Sequence, residues 1–139
     1  MMGKRTFSIL LLSSVLFLTG CGDDSVHPGT KIDGVWGARH IELVAASDET
    51  LLEYDCAHGT IDGALIPDPD GRFDLVGTHT RESGGPVNLN DPPDVHPARY
   101  RGRILGDRLT LTVTLTDTGD VLGPFVLARG VPGLLYKCL

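Results

Sequence analysis

Leu109-Thr110-Leu111-Thr112-Val113-Thr114-Leu115 alternates an aliphatic side chain with threonine along its whole length. In an extended chain, successive side chains point to opposite faces. This stretch therefore buries leucine and valine on one face and presents β-branched threonines to water on the other. Upstream, Tyr100-Arg101-Gly102-Arg103-Ile104 alternates in the same way, and Gly106-Asp107 supplies turn chemistry between the two runs. Together they read as an antiparallel hairpin with one wet and one buried face. Outward from this hairpin the period of two continues from Asp33 onward. It predicts strands at 35–45, 51–57, 60–66, 72–80, 98–105, 108–117, 121–129 and 134–138. Glycine, proline and aspartate mark the separators, as in His58-Gly59, Pro67-Asp68-Pro69-Asp70-Gly71 and Thr118-Gly119-Asp120. No segment carries a convincing helical period. About eight short strands joined mostly by tight links predict an all-β antiparallel meander. Closing it into a small barrel buries one face and disposes of the edges; a two-sheet sandwich is the alternative.

One interval breaks the even spacing. Residues 81–97 hold Gly84-Gly85-Pro86 and Asp91-Pro92-Pro93-Asp94 and read as a long loop, the kind that is either functional or mobile. The chain's formal charge is −6, and this acidity argues against nucleic acid as a partner, since phosphate binding needs clustered cations. Arg99, Arg101 and Arg103 alternate along one strand and read as a solvated face. A length of 139 residues permits one domain with its own core. Aromatic residues are only 6% of the chain, so that core rests on Leu, Val and Ile.

The N-terminus has the parts of an export signal. Lys4 and Arg5 precede an apolar stretch from Phe7 to Phe17, too short to span a bilayer as a helix. Leu18-Thr19-Gly20-Cys21 closes it, and polar sequence follows. This arrangement resembles the lipobox of bacterial lipoproteins. The resemblance implies that residues 1–20 are a signal peptide and that Cys21 receives a diacylglycerol. Residues 21–32 then form the lipidated cysteine and a flexible tether, and 33–139 the β-barrel domain. Two or more acyl chains hold a protein firmly at a membrane, where one does so only marginally. The implied location is the cell envelope. Gly22 after the cysteine, where Asp signals inner-membrane retention, favours the outer membrane of a Gram-negative cell. With Cys21 set aside, Cys56 and Cys138 remain, and an even number of cysteines in an exported chain predicts a disulfide.

Gly34-Val35-Trp36 opens the first strand. Gly-x-Trp at that point resembles the lipocalin-type barrels, in which the tryptophan closes the base and a late arginine packs across the indole. The resemblance assigns these roles to Trp36 and Arg129. Should the barrel hold a cavity for a small apolar ligand, Tyr54, Phe73, Tyr100 and Phe125 are the expected lining. A filled barrel would instead leave the 81–97 loop as a surface for a protein partner. The stretch Glu53–Gly63, the Arg81–Pro86 loop and the ending Lys137-Cys138-Leu139 also resemble small exported bacterial proteins, a resemblance that implies no particular activity.

Signals for catalysis are weaker. Asp55, His58 and Asp62 lie close in sequence, and His40 shares a parity with Trp36 and Glu42. A carboxylate and imidazole set could serve a hydrolase or bind a metal. Yet no His-x-His, His-Glu-x-x-His or Cys-x-x-Cys spacing occurs, and Asp55 and Asp62 read more simply as turn residues. Spacing leaves open whether His79 meets His96. Neither Ser25, Ser47 nor Ser83 sits in Gly-x-Ser-x-Gly, and no glycine-rich loop precedes a helix as phosphate binding requires. The expectation is no cofactor and no metal. The sequence reads as a membrane-anchored, non-enzymatic binding module for a small apolar ligand or an envelope protein. The alternatives are a hydrolase or metal-binding protein using His40, Asp55 and His58, or a structural lipoprotein.

Overall fold

The structure, a computed structural model, describes residues 29–86 and 90–138. The signal segment, Cys21 and most of the expected tether lie outside the described residues. Eight strands follow in order: β1 Gly34–Ala38, β2 Ile41–Ala45, β3 Glu49–Tyr54, β4 Ala57–Asp62, β5 Arg72–Arg81, β6 Asp94–Leu105, β7 Arg108–Leu115 and β8 Val121–Arg129. Each pairs antiparallel with the next, and β8 returns to β1 through Trp36↔Arg129 and Gly37↔Ala128. The expected all-β meander is therefore a closed barrel, with no unpaired sheet left over.

The strand count agrees with expectation, but its partition differs. Residues 35–45 form a hairpin, not one strand, turning at Arg39-His40, where His40 takes a φ of 71°. The reason is parity. Trp36 and Ile41 are both fully buried yet five positions apart, so a continuous strand would have pointed them to opposite faces. Residues 134–138 are not a strand. They belong to a C-terminal strap with one bridge, Arg39↔Leu134. β6 also begins at Asp94, because β5 runs far enough to supply partners through Arg81↔Asp94, and the 81–97 loop shortens accordingly.

Side chains fill the barrel. Trp36, Leu43, Leu52, Ile61, Tyr100 and Leu111 are fully buried. Burying an aliphatic or Phe-sized side chain contributes about 1.5–3 kcal/mol. Two glycines make room for the aromatics. A Cβ at Gly59 would lie 2.3 Å from the Tyr100 hydroxyl, and one at Gly102 would lie 2.3 Å from Cζ of Phe73. Small residues facing large ones is how a small barrel fills its taper.

The two ends are finished differently. The lower end carries the β2–β3, β4–β5 and β6–β7 connections. There the Ile32 amide donates to the Leu65 carbonyl (2.9 Å) and the Gly29 amide to the Pro67 carbonyl (3.1 Å). These bonds place the buried side chains of Ile32 and Leu65 as an apolar plug. The guanidinium of Arg129 lies 5.8 Å from the Trp36 ring centre, within cation–π range. After Gly130, whose amide donates to Val35, the chain turns back as the strap. It passes over Gly37, where any Cβ would meet the Val131 carbonyl at 2.4 Å. It then bonds to the β1–β2 turn through Leu134 and reaches Cys56. The Cys56–Cys138 disulfide, with Cα atoms 5.2 Å apart, fastens it to the β3–β4 turn. Among the described residues, no helix is long and apolar enough to cross a membrane.

Candidate functional site at the histidine end

All four described histidines lie in the upper half of the barrel, near the end formed by the β1–β2 and β3–β4 turns, the 82–93 loop and the β7–β8 turn. Three face carboxylates. His40 Nδ1 meets Asp55 Oδ2 at 2.5 Å, His58 Nδ1 meets Glu82 Oε1 at 2.7 Å, and His96 Nδ1 meets Asp117 Oδ2 at 2.7 Å. His96 Nε2 also lies 3.0 Å from Asp94. Arg81 donates to Asp120 at 2.8 Å and completes the charged rim. These contacts tune the carboxylates. The bond from His58 holds Glu82 below the ordinary carboxylate range, and the bond from His96 does the same for Asp117. Asp55 is lowered first by the Tyr136 amide and then by His40. The bond to Asp117 raises His96 above the usual imidazole range.

His79 is different. It is 3% exposed, inside the barrel, directly across from His96 in the β5–β6 register. Its ring stands edge-on to Tyr54 at 5.2 Å, and Tyr54 tilts against Phe125 at 5.8 Å. Neither His79 Nδ1 nor the Tyr54 hydroxyl has a hydrogen-bond partner. Burial pushes the His79 pKa down, helped by Arg81, His96 and His58 and opposed by Asp94. Burial likewise pushes both tyrosine hydroxyls up. Tyr100 satisfies its hydroxyl by donating to the Thr78 carbonyl at 2.6 Å. His79 is thus a neutral imidazole in an aromatic pocket at neutral pH.

Outside the barrel, the described parts of the loop, residues 82–86 and 91–93, and the adjoining strand ends enclose a cleft of about 500 Å³. His58, Arg81, Glu82, Ser83, Pro86 and Asp91 contribute to its lining. It is shallow, and its polar groups carry both signs.

The expected site residues fall into distinct places. Tyr54, Phe73 and Tyr100 are buried in the packed interior, and Phe125 is half-buried beside Tyr54. His40 and Asp55 meet, but His58 pairs with Glu82. Asp62 ends β4 at the opposite end of the barrel, so the sequence cluster of Asp55, His58 and Asp62 is not a spatial one. Asp68 caps the β4–β5 turn by accepting from the amides of Asp70 and Arg72, as its turn reading implied. Among the described residues, no group of three or more His, Cys, Asp or Glu could hold a metal ion. His40 and His58 keep an acid-base pair's geometry, but both rings are nearly half exposed, where such contacts contribute little. Sequence reading missed the interior place of His79. The signal was present, since Phe73, Leu75, Gly77 and His79 share one parity on β5.

No family model, curated protein or solved structure matches the chain.

Proposed function

We propose that this chain is a lipid-anchored protein of the bacterial envelope whose barrel is a non-enzymatic scaffold, displaying the 82–93 loop and its charged rim to a protein partner. The observation that carries this reading is the filled interior. Tyr54, Phe73 and Tyr100, the side chains best suited to line an apolar ligand cavity, are spent on packing against one another's strands and against Gly59 and Gly102. That favours recognition by the outer surface over capture of a small apolar molecule inside. The upper rim suits such a role. It combines paired charges, three prolines and a concave face, all positioned by a rigid sheet.

Two measurements test the two halves of the proposal. Replacing Cys21 with Ser should release the protein from membranes; continued retention would sink the anchor. Photocrosslinking from the upper rim in intact cells should capture a discrete protein, and Glu82→Arg with Asp94→Arg should abolish that adduct. A retained small lipid, seen by native mass spectrometry of the purified domain, would instead restore the cavity reading.

A further inference from the structure

The outward faces of the barrel wall are segregated by charge. On β5, β6 and β7 the outward positions include Arg72, Arg99, Arg101, Arg103 and Arg108, all exposed, with Asp74 as the one carboxylate among those strands' central rungs. Asp74 binds two of them, meeting Arg99 at 2.6 Å and Arg101 at 3.2 Å. Arg103 donates to the Asp70 carbonyl, a neutral acceptor, while the Asp70 carboxylate lies 3.6 Å from Arg72, both side chains well exposed. Arg72 and Arg103 stand directly opposite each other in the ladder, a pairing that destabilises a sheet. Three threonines, Thr110, Thr112 and Thr114, border the arginines on β7. The opposite wall is acidic. Glu42 faces Glu53 and Glu49 faces Asp62 across neighbouring strands, with Lys137 offsetting Glu53 at 2.6 Å and the Gly133 amide donating to Glu42. An acidic chain that gathers five of its described arginines on one wall, with Arg103 opposite Arg72 and bonded to a neutral carbonyl, carries a surface suited to anions.

The place where the described chain begins says which anion. The Gly29 amide is bonded to the Pro67 carbonyl, and Pro67 lines the same shallow groove as Arg72 and Arg101, which share it with Asp68 and Asp74. Cys21 lies eight residues earlier, a span of about 28 Å at most when fully extended. We infer that the outer face of β5, β6 and β7 docks on anionic phospholipid headgroups, so that a lipid-anchored barrel lies with this wall toward the membrane and its acidic wall away. This orientation rests on the anchor proposed above; the wall's affinity for anionic lipid does not. The lipid would keep the protein at the surface, and the arginines would decide which side faces it. Each arginine near an anionic surface strengthens binding by roughly fivefold, and salt screens the effect.

The test separates the two readings. The chain starting at Gly22 keeps all eight strands and both disulfide cysteines and carries no lipid. It should float with phosphatidylglycerol-containing vesicles at low salt, release at high salt, and ignore pure phosphatidylcholine vesicles. Arg101→Gln with Arg103→Gln should weaken that binding on the order of twentyfold, whereas Arg39→Gln, at the upper turn, should leave it unchanged. Equal binding to both vesicle types, or an undiminished Arg101/Arg103 variant, would overturn the inference. So would no binding to either vesicle, which would point to an acidic protein as the wall's occupant. The mass of the full-length protein from cell membranes reads acylation of Cys21 separately. An unacylated Cys21 would sink the anchor while leaving the vesicle result to stand or fall alone.

Discussion

The lower and upper ends of this barrel are built from the same strands but finished with opposite chemistry. Below, Ile32 and Leu65 close the opening with apolar side chains, and Trp36 packs under Arg129 with no exposed surface. Above, the interior admits a histidine and a tyrosine with unpartnered polar atoms, and the rim is a circuit of imidazole and carboxylate pairs. An unpartnered buried polar group costs stability, about 1–3 kcal/mol in mutational series. Unpartnered buried atoms occur at both ends, Trp36 Nε1 and Thr50 Oγ1 below as well as those of Tyr54 and His79 above, so the ends differ in what covers them: apolar side chains below, ionisable pairs above.

Truncation should expose this asymmetry most sharply. Trp36→Ala should lower unfolding stability by about 3–5 kcal/mol in urea titrations. Phe125→Ala, half-buried at the other end, should lose less than half as much. Equal losses would erase the distinction between the ends. Next in size is the staple at the upper end. Cys56→Ser should remove about 2–4 kcal/mol, and an unchanged urea midpoint would mean that the strap is held by its hydrogen bonds alone.

The third prediction concerns pH. His79 has a folded-state pKa below its ordinary 6.5 because it is buried. The unfolded chain therefore binds its proton first as pH falls. Stability contributed by neutral His79 is present above 6.5 and is lost as pH drops from there through the depressed value. Thermal unfolding should show wild type losing ground to His79→Phe across that window, and parallel curves would refute it. His96 works in the opposite sense and in a different window: its raised pKa adds stability that is fully present below 6.5 and disappears as pH rises from there through the raised value, so that decline above 6.5 should be lost in His96→Gln. The smallest effect belongs to Tyr54→Phe. Removing a hydroxyl without a partner should leave stability unchanged or raise it by about 1 kcal/mol. A clear loss would mean that the hydroxyl is satisfied.

Much of the fold was legible because period two is a strong signal when one face is buried. The β7 threonines, the Gly106-Asp107 turn and the β5 and β6 alternations each landed where the residues implied. Two errors at the chain's ends cancelled in the strand count. The β1–β2 hairpin was hidden because Arg39-His40 lacks glycine, and His40 adopts a left-handed backbone that turn patterns do not anticipate for it. The parity change between Trp36 and Ile41 was the readable clue. The strap read as a strand because its apolar residues, among them Leu134 and Tyr136, resemble an alternating pattern although both are more than half exposed. The disulfide followed from cysteine arithmetic. The histidine pairs did not, because His58 with Glu82 and His96 with Asp117 depend on registers between strands far apart in sequence.

The strap has a consequence for how such a chain is made. A polypeptide emerges from ribosome or translocon N-terminus first, yet β1 waits for Ala128 and Arg129 to cover its second edge, and Cys56 waits for Cys138. Until Arg129 and Cys138 arrive, the growing chain holds an open, half-apolar ribbon and an unpaired Cys56. Its maturation is therefore a race between closing the barrel and meeting another ribbon, and the Cys56–Cys138 bond locks the closed form.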